Sequence, residues 1–351
     1  MENNQLDKLL QGDTDGIDAA VKSIHNYYSG KFNPIKTSYT FLNELALGGL
    51  LPGLIISILG RPQNGKSYIV QQLREDILRD KSRNIGVLLY NLEMPWFSLL
   101  LVQMKKRLNK TFKDILSIEP TEEEIVIMKE IADDFRDHRL TTITKALTPA
   151  EWEYTTRKWI EDNLEEEQLF ILYDHAGITK GTNKLEAIFE LMERANNIKL
   201  DYANKVTFII LGQLNREIER LFRTRDLNPI NLRVTSEYIY GSDALQQYSD
   251  IIISSTIPQR FGLEKYCSVN KERNPHLEEH ILDEDKHTPK DYVRLKGLNR
   301  IYYDVLKTRL NDDTPTLYCE ILNEEQEEFN LAVQQYEKDH TPEYEDDDLA
   351  F

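Results

Sequence analysis

Residues Leu54 to Tyr68 read LIISILGRPQNGKSY, and this stretch decides the fold. The apolar, β-branched run from Ile55 to Leu59 predicts a buried strand. It leads directly into Gly60-Arg61-Pro62-Gln63-Asn64-Gly65-Lys66-Ser67, which matches the phosphate-loop pattern G-x-x-x-x-G-K-S/T. After the loop, Tyr68 to Asp80 carries apolar side chains at helical spacing. A strand, a glycine-bearing loop and a helix in this order predict a nucleotide-binding α/β fold.

The loop residues suit the binding of a triphosphate. Because glycine lacks a Cβ, Gly60 and Gly65 allow a curl in which backbone N–H groups face phosphate oxygens, and the next helix adds its positive end. Lys66 is predicted to reach the outer phosphates, and the Ser67 hydroxyl is predicted to bind Mg²⁺. The expected ligands are ATP and Mg²⁺, and the expected nucleotide contacts are Gly60, Arg61, Pro62, Gln63, Asn64, Gly65, Lys66, Ser67 and Tyr68. The alternative is a glycine-containing turn that carries Lys-Ser by chance.

The composition is that of an ordinary globular protein. Of 351 residues, 40% are hydrophobic and 29% are charged, and no apolar run approaches the roughly 18 residues of a membrane span. The amino terminus lacks the basic-then-apolar order of a signal peptide. Two cysteines, Cys267 and Cys319, are too few for a disulfide framework. We therefore expect a cytoplasmic protein with no membrane partner.

The net charge of −17 lies mostly at the carboxyl end. Residues 323–351 hold eleven acidic residues and one lysine, so they account for −10 of that charge. A nucleic-acid surface requires only a local positive patch. The overall acidity therefore does not exclude a nucleic-acid partner.

Apolar strands alternate with helices along most of the chain. This order is typical of a mostly parallel sheet covered by helices on both faces. The predicted strands are Ile55–Leu59, Ile85–Asn91, Leu140–Thr144, Leu169–Tyr173, Val206–Leu211 and Ile251–Ser254, followed by a terminal β-pair at Ile301–Lys307 and Thr316–Leu322. Residues 257–297 between them are polar and loop-like.

Polar side chains follow several of these strands and should converge at the carboxyl edge of the sheet, where ligands bind in such folds. Nucleotide hydrolysis needs a carboxylate beside the metal and a base for the attacking water. Asp174, at the end of LFILY, is the candidate metal-side carboxylate, and Glu93 is the candidate base because its strand is expected beside the phosphate-loop strand. The alternatives are a turn-capping Asp174 and a Glu93 that only favours a helix start.

We expect three segments: an amino-terminal segment at 1–34, an ATPase domain at 35–322 and an acidic tail at 323–351. In the first segment, Ile17 to Tyr28 has apolar residues along one helical face. That face is expected to pack either in a groove of a neighbouring subunit or on its own domain.

Five motifs in order resemble the RecA-type motor domain of DnaB-like replicative helicases, including the helicase half of phage helicase-primases. All five follow the phosphate loop, and Asp174, which falls on the family's second nucleotide motif, is one of them. Leu92-Glu93-Met94-Pro95 is similar to the family's S-L-E-M-P, with Asn91 in place of the serine. Gln213-Leu214-Asn215-Arg216 matches Q-L-N-R, and residues 241–250 are similar to G-S-G-A-I/L-x-Q-x-A/S-D. Lys307-Thr308-Arg309 matches K-x-R.

The resemblance implies an ATP-driven helicase or translocase that forms a ring, usually of six subunits, around single-stranded DNA. It implies that Glu93 is the catalytic base, that Asp174 belongs to the second nucleotide motif, and that Gln213 senses the γ-phosphate. Lys307 and Arg309 would reach the nucleotide of the next subunit. We expect the DNA-binding loop in the arginine-rich stretch from Arg216 to Arg233. Its expected phosphate contacts are Arg216, Arg223, Arg225 and Arg233.

The acidic tail ends in Asp348-Leu349-Ala350-Phe351 and resembles the tails of single-strand-binding proteins and phage helicase-primases. It is expected to bind a replication partner such as a polymerase, primase or loader, in the host cytoplasm if the chain is of phage origin. The alternative is a solubilising tail. Two other functions stay open here: a RecA-like strand-exchange ATPase, and a nucleotide-gated assembly factor.

Overall fold

A computed structural model describes residues 14–29, 33–62, 64–181, 183–218, 234–240, 242–261, 265–267, 292–294, 300–310 and 317–321. In these ranges the strands are β1 (Ile55–Gly60), β2 (Ile85–Asn91), β3 (Leu140–Ile143), β4 (Gln168–Asp174), β5 (Val206–Gln213), β6 (Ile251–Thr256), β7 (Lys265–Cys267), β8 (Tyr292–Arg294), β9 (Arg300–Thr308) and β10 (Leu317–Ile321). The helices are α1 (Thr14–Tyr28), α2 (Thr40–Leu45), α3 (Lys66–Leu78), α4 (Trp96–Leu108), α5 (Phe112–Ser117), α6 (Glu122–Asp134), α7 (Pro149–Asp162), α8 (Lys184–Asp201) and α9 (Ser242–Tyr248).

Eight of these strands form one sheet in the order β10-β9-β6-β1-β5-β4-β2-β3. Strands β1 to β6 are parallel, and β9 and β10 add an antiparallel pair at one side. The prediction of an α/β fold with a mostly parallel sheet and a carboxyl-terminal β-pair is therefore confirmed.

Two sequence-based expectations about strands are wrong. The strand before Glu93 is not next to the phosphate-loop strand, because β5 and β4 lie between β1 and β2. The 257–297 stretch is not wholly loop-like, because β7 and β8 pair antiparallel as a separate two-stranded sheet. Both strands span three residues, which is too short for an apolar period to be visible in the sequence.

Two apolar layers, one on each face of the sheet, form the core. Consecutive strand residues point to opposite faces, so Ile56 and Ile58 join one layer and Ile55 and Leu59 join the other. Every residue of β1, β2, β4 and β6 is buried. Strands buried on both faces appear as continuous apolar runs, and this is why they were predictable.

An aromatic cluster attaches α7 to the second layer. The side chain of Trp152 is fully buried, and its ring lies 6.3 Å from Tyr90, 6.0 Å from Tyr173 and 6.1 Å from Phe208, measured between centroids. These partners belong to three adjacent strands. Trp152 therefore fixes α7 across the same strands whose ends carry the polar residues.

The amino-terminal helix leaves its apolar side uncovered in the protomer. Ile17, Val21, Ile24 and Tyr28 are all exposed. A hydrogen bond from the Tyr27 hydroxyl to the Leu47 carbonyl oxygen (2.9 Å) connects this helix to the turn after α2. Among the described residues, the apolar face of this helix is therefore exposed.

None of the helices in the described ranges is long and apolar enough to cross a lipid bilayer.

We predict that Trp152→Ala lowers the free energy of unfolding by about 3–5 kcal/mol, because it leaves a large cavity under three strands. Urea denaturation followed by circular dichroism measures this change. The matched control is Tyr154→Ala on the same helix, where the ring is 72% exposed; it should change stability by less than about 0.5 kcal/mol. Equal effects of the two substitutions would contradict the packing described here.

Candidate nucleotide site

The phosphate loop has a shape that only glycine permits at two positions. A Cβ on Gly60 would lie 2.7 Å from Ser255 Oγ and 3.2 Å from Lys66 Cγ, so the loop closes against β6 at this point. Gly65 caps α3 with φ +80°, in the left-handed region that favours glycine. The tight turn at Gly60 and the amino end of α3, where the cap at Gly65 makes no side-chain hydrogen bond, form a cradle suited to phosphate oxygens.

Lys66 and Ser67 are held at the first turn of α3 and are both buried. The Lys66 ammonium donates to the Arg61 carbonyl oxygen at 3.0 Å, so the side chain folds back over the loop. The guanidinium of Arg61 donates to the Leu214 carbonyl oxygen at 3.1 Å, which connects the loop to the residue after β5.

Asn64 braces the loop from inside. Its side chain is 2% exposed, and its Oδ1 accepts a hydrogen bond from the Ile257 backbone N–H at 2.7 Å. Its amide donates to the carbonyl oxygens of Arg61 (3.4 Å) and Pro62 (3.3 Å). The sequence pattern places Asn64 in the loop but gives no signal for this bracing role.

The ends of the neighbouring strands lie beside the loop. Gln213 at the end of β5 is in register with Gly60, and Asp174 at the end of β4 is 1% exposed. Because these strands are parallel, their carboxyl ends meet at one edge of the sheet. The structure thus brings Asp174 and Gln213 to the loop edge, as the strand pattern predicts.

Glu93 reaches this region from β2 by a tight turn. The buried amide of Asn91 donates to the Met94 carbonyl oxygen at 2.7 Å and closes the turn that carries Glu93. Asn91 stands where the motif that it resembles has serine. Glu93 Oε2 then lies 4.0 Å from the Nε2 atom of His175.

His175 is the residue at this site that the sequence analysis did not single out. It follows Asp174, its Nε2 lies 3.3 Å from the Gln213 side-chain amide, and the Gly177 N–H donates to its Nδ1 at 3.0 Å. Burial lowers its pKa to about 4; the nearby Glu93 opposes this shift, while the positive charges of Lys66 and Lys184 add to it. The only sequence signal was its position directly after Asp174 at a strand end.

The donor atoms of the site fit Mg²⁺ with few protein ligands. A hydroxyl from Ser67 and a carboxylate from Asp174 are hard oxygen donors, and Mg²⁺ commonly takes one or two such ligands and keeps its waters. Within the described ranges, no cluster of three or more His, Cys, Asp or Glu side chains forms a dedicated metal cage. The site therefore suits a metal that enters with a phosphate ligand.

Lys307 and Arg309 do not join this site in the protomer. The Lys307 ammonium donates to the Gln246 carbonyl oxygen, and burial lowers its pKa, with Arg309 acting in the same direction. Arg309 donates to Asp250 Oδ1 at 3.1 Å and to the Gln247 carbonyl oxygen at 2.6 Å. Both cations therefore rest on the carboxyl end of α9.

The register of β9 fixes their distance from the loop. Lys307 pairs with Ile252 near the start of β6, whereas Ser255 near its end lies beside Gly60. Thr308 pairs with Ile251, so it lies four residues from Ser255 along β6, or about 13 Å. Lys307 and Arg309 are therefore at the opposite edge of the sheet from the loop.

The structure describes some of the remaining predicted residues and not others. Arg216 is exposed just after the bridge at Leu214. The other predicted residues, Gln63, Arg223, Arg225, Arg233 and the tail ending in Phe351, lie outside the described residues.

A phosphate loop between a central parallel strand and a helix, with Asp174 and Gln213 at the same sheet edge, defines a P-loop ATPase of the RecA-like class. The sequence profile described as DnaB-like helicase C terminal domain matches residues 34–300. The chain belongs to this family, which consists of ATP-hydrolysing replicative helicases. This membership favours a replicative helicase over a strand-exchange ATPase.

Solved structures agree with the fold. The ATPase domain of a phage protein matches with TM-score 0.61 and 15% identity over 89% of this chain and 96% of that one. A DnaB-like replicative helicase, described with its interactions with primase, matches with TM-score 0.57 and 14% identity. That match covers 90% of this chain and 66% of the other, so the chain spans about two thirds of that helicase. No curated protein sequence matches significantly.

We predict that Asn64→Ala destabilises the protein by about 1–3 kcal/mol, because it leaves the buried Ile257 N–H without its acceptor. It should also weaken nucleotide binding, since the loop loses its brace. Thermal melting and titration with a fluorescent ATP analogue measure the two effects.

The matched control is Asn84→Ala, because the exposed Asn84 amide makes only a 3.4 Å bond to the Glu165 carbonyl oxygen. It should leave both quantities unchanged. Asn64→Asp keeps the acceptor for Ile257 but adds negative charge beside the cradle. It should therefore bind the nucleotide poorly; if it binds as well as the wild type, Asn64 is not beside the phosphates.

Proposed function

We propose that this protein is an ATP-driven helicase or translocase that forms a ring on single-stranded DNA, with each ATP site completed by the adjacent subunit. The observation that carries the proposal is the separation of two groups in one protomer. The loop, Gln213 and Glu93 lie at one edge of the sheet, while Lys307 and Arg309 lie at the other.

Within one site, each side chain has a role that its position supports. Lys66 neutralises the outer phosphates, and Gln213 contacts the γ-phosphate from the end of β5. Glu93 accepts the proton of the attacking water, since its carboxylate is at the same edge and partly exposed. Ser67 and Asp174 would hold Mg²⁺, which would neutralise phosphate charge when bound.

The remaining positive charge comes from the neighbouring subunit. Lys307 and Arg309 lie far from the loop of their own protomer: Lys307 pairs with Ile252, about 10 Å from Ser255 along β6, and Thr308, next to Arg309, pairs with Ile251, about 13 Å from Ser255. In an assembly that packs this edge against the next protomer's loop, the same side chains face a triphosphate. Arginine in this role stabilises charge that develops during phosphoryl transfer.

DNA and protein partners follow from the family and from the charge pattern. We propose that Arg216, Arg223, Arg225 and Arg233 contact DNA phosphates within the ring. The exposed apolar face of α1 docks on a neighbouring subunit. The acidic tail ending in Phe351 binds a replication partner, and the protein acts in the cytoplasm.

We predict that Lys66→Ala and Glu93→Gln each abolish ATP hydrolysis that is stimulated by oligo-dT, for different reasons. Lys66→Ala removes phosphate-binding charge, so nucleotide binding should also weaken. Glu93→Gln removes the base but keeps size and hydrogen bonding, so binding should persist. A phosphate-release assay and a fluorescent-nucleotide titration separate these outcomes.

Glu44→Gln is the control for Glu93→Gln, since Glu44 is an exposed glutamate in α2. It should keep full activity. The proposed function fails if the wild-type protein hydrolyses ATP equally with and without oligo-dT, or if Glu93→Gln retains the stimulated rate.

We predict that Arg309→Ala lowers the stimulated rate by about 10³-fold or more, as removal of such an arginine does in other phosphoryl-transfer enzymes. The fold should survive, because Asp250 keeps hydrogen bonds from Lys199 (3.1 Å) and from the Ile55 N–H (2.8 Å). Mixing Arg309→Ala with Lys66→Ala should restore activity. In mixed oligomers, an intact loop from one variant meets an intact Arg309 from the other.

Mixing Arg309→Ala with the double variant Lys66→Ala/Arg309→Ala is the matched control; it keeps an intact loop but contains no intact Arg309, so it should give no activity. Lys307→Ala is expected to behave as Arg309→Ala does in the same mixing assay. Undiminished turnover by Arg309→Ala alone, or a mixture that stays inactive although the subunits assemble, would refute completion of the site by a neighbour.

A further inference from the structure

His175 occupies the space between two side chains that come from different strands. Gln213 ends β5 and Glu93 follows β2, and β4 lies between these strands. His175 directly follows β4, is 6% exposed, and places Nε2 at 3.3 Å from the Gln213 amide and 4.0 Å from Glu93 Oε2. One ring nitrogen therefore faces both residues that the proposed hydrolysis uses.

The other ring nitrogen is fixed by the backbone. The Gly177 N–H donates to Nδ1 at 3.0 Å, so Nδ1 is an acceptor and the proton of a neutral ring is on Nε2. Gly177 is required for this approach, because a Cβ there would lie 2.8 Å from His175 Cε1. The Gln213 atom at 3.3 Å is the amide nitrogen, so the amide must rotate to turn its oxygen toward the Nε2–H. The ring then presents one N–H to two acceptors, the Gln213 amide oxygen and the Glu93 carboxylate.

We propose that His175 is a positioning residue that couples Gln213 to Glu93. While the Gln213 amide faces the ring, the Nε2–H is engaged by Gln213. When Gln213 turns to the γ-phosphate, the Nε2–H donates its hydrogen bond to Glu93 instead. This bond orients the carboxylate toward the attacking water. This inference rests on the proposed roles of Glu93 and Gln213. It adds that the position of Gln213 determines the orientation of the Glu93 carboxylate through His175.

A purely structural role predicts something different. A buried ring that only fills space would affect stability, and its loss would be repaired by any side chain of suitable volume. The coupling role requires a donor at the Nε2 position and no other group. Asparagine and glutamine at position 175 separate these roles, because the asparagine amide reaches only as far as Nδ1 whereas the glutamine amide reaches about as far as Nε2.

The test compares His175→Asn with His175→Gln in the full chain with ATP, Mg²⁺ and oligo-dT. We expect His175→Asn to lower kcat by about 10- to 100-fold, as loss of a hydrogen-bonded positioning partner does at other sites. The dissociation constant for a fluorescent ATP analogue should change by less than about threefold, because no phosphate contact is lost. His175→Gln should recover at least about tenfold of the lost rate.

Two further measurements keep the test decisive. Thermal melting checks that both variants fold, and His138→Asn, at a histidine side chain that is 91% exposed, is the matched control expected to match the wild type. In a Gln213→Ala background, His175→Asn should reduce kcat far less than in the wild type, because the coupled partner is already absent.

The proposal is overturned if folded His175→Asn keeps kcat within about threefold of the wild type, if His175→Gln is as impaired as His175→Asn, or if the two substitutions multiply independently in the double variant. Its failure is distinct from failure of the proposed function. The proposed function fails if the wild type lacks DNA-stimulated hydrolysis or if Glu93→Gln keeps it. Neither of these results depends on the His175 variants.

Discussion

The parallel pairing of β1 with β5 and β6 is the constraint on which the site depends. This pairing sets Gly60 level with Gln213 on one side and Ser255 on the other. The contact with Ser255 leaves no room for a Cβ at Gly60, so the loop turns tightly into α3. The Asn64 side chain then ties the loop to the backbone after β6. If β1 shifted by one residue against its neighbours, each of its side chains would point to the opposite face of the sheet. The same shift would also remove the phosphate cradle.

The sheet separates the strand before Glu93 from the phosphate-loop strand, and polar side chains span part of that distance. Strands lie about 4.8 Å apart, so β2 is about 14 Å from β1 across β5 and β4. Glu93 therefore depends on the turn after β2 to bring its carboxylate toward the loop. The Asn91 bond closes the turn that carries Glu93, and His175 fills the gap that remains between Glu93 and Gln213.

Much of this fold was predictable because its strands are buried on both faces and appear as unbroken apolar runs. The phosphate loop, Asp174 and Gln213 were predictable because each ends such a run. The order of the strands in the sheet was not predictable, because every parallel strand has the same apolar pattern. For this reason the strand before Glu93 was wrongly expected beside β1. Asn64 and His175 were also not predictable in their roles, because these depend on contacts with Ile257 and with Gln213, which are distant from them in the sequence.

The position of Lys307 and Arg309 at the carboxyl end of β9 has a consequence for the symmetry of an assembly. If each subunit gives Lys307 and Arg309 to a neighbour and receives the same pair at its own loop, donor and acceptor surfaces differ, and the contact is heterologous. A two-fold dimer cannot satisfy both surfaces of its members. Such a contact repeats head to tail until it closes on itself, and an unclosed chain ends in one subunit whose triphosphate lacks a donor. Closure would therefore give every subunit an equal capacity for turnover.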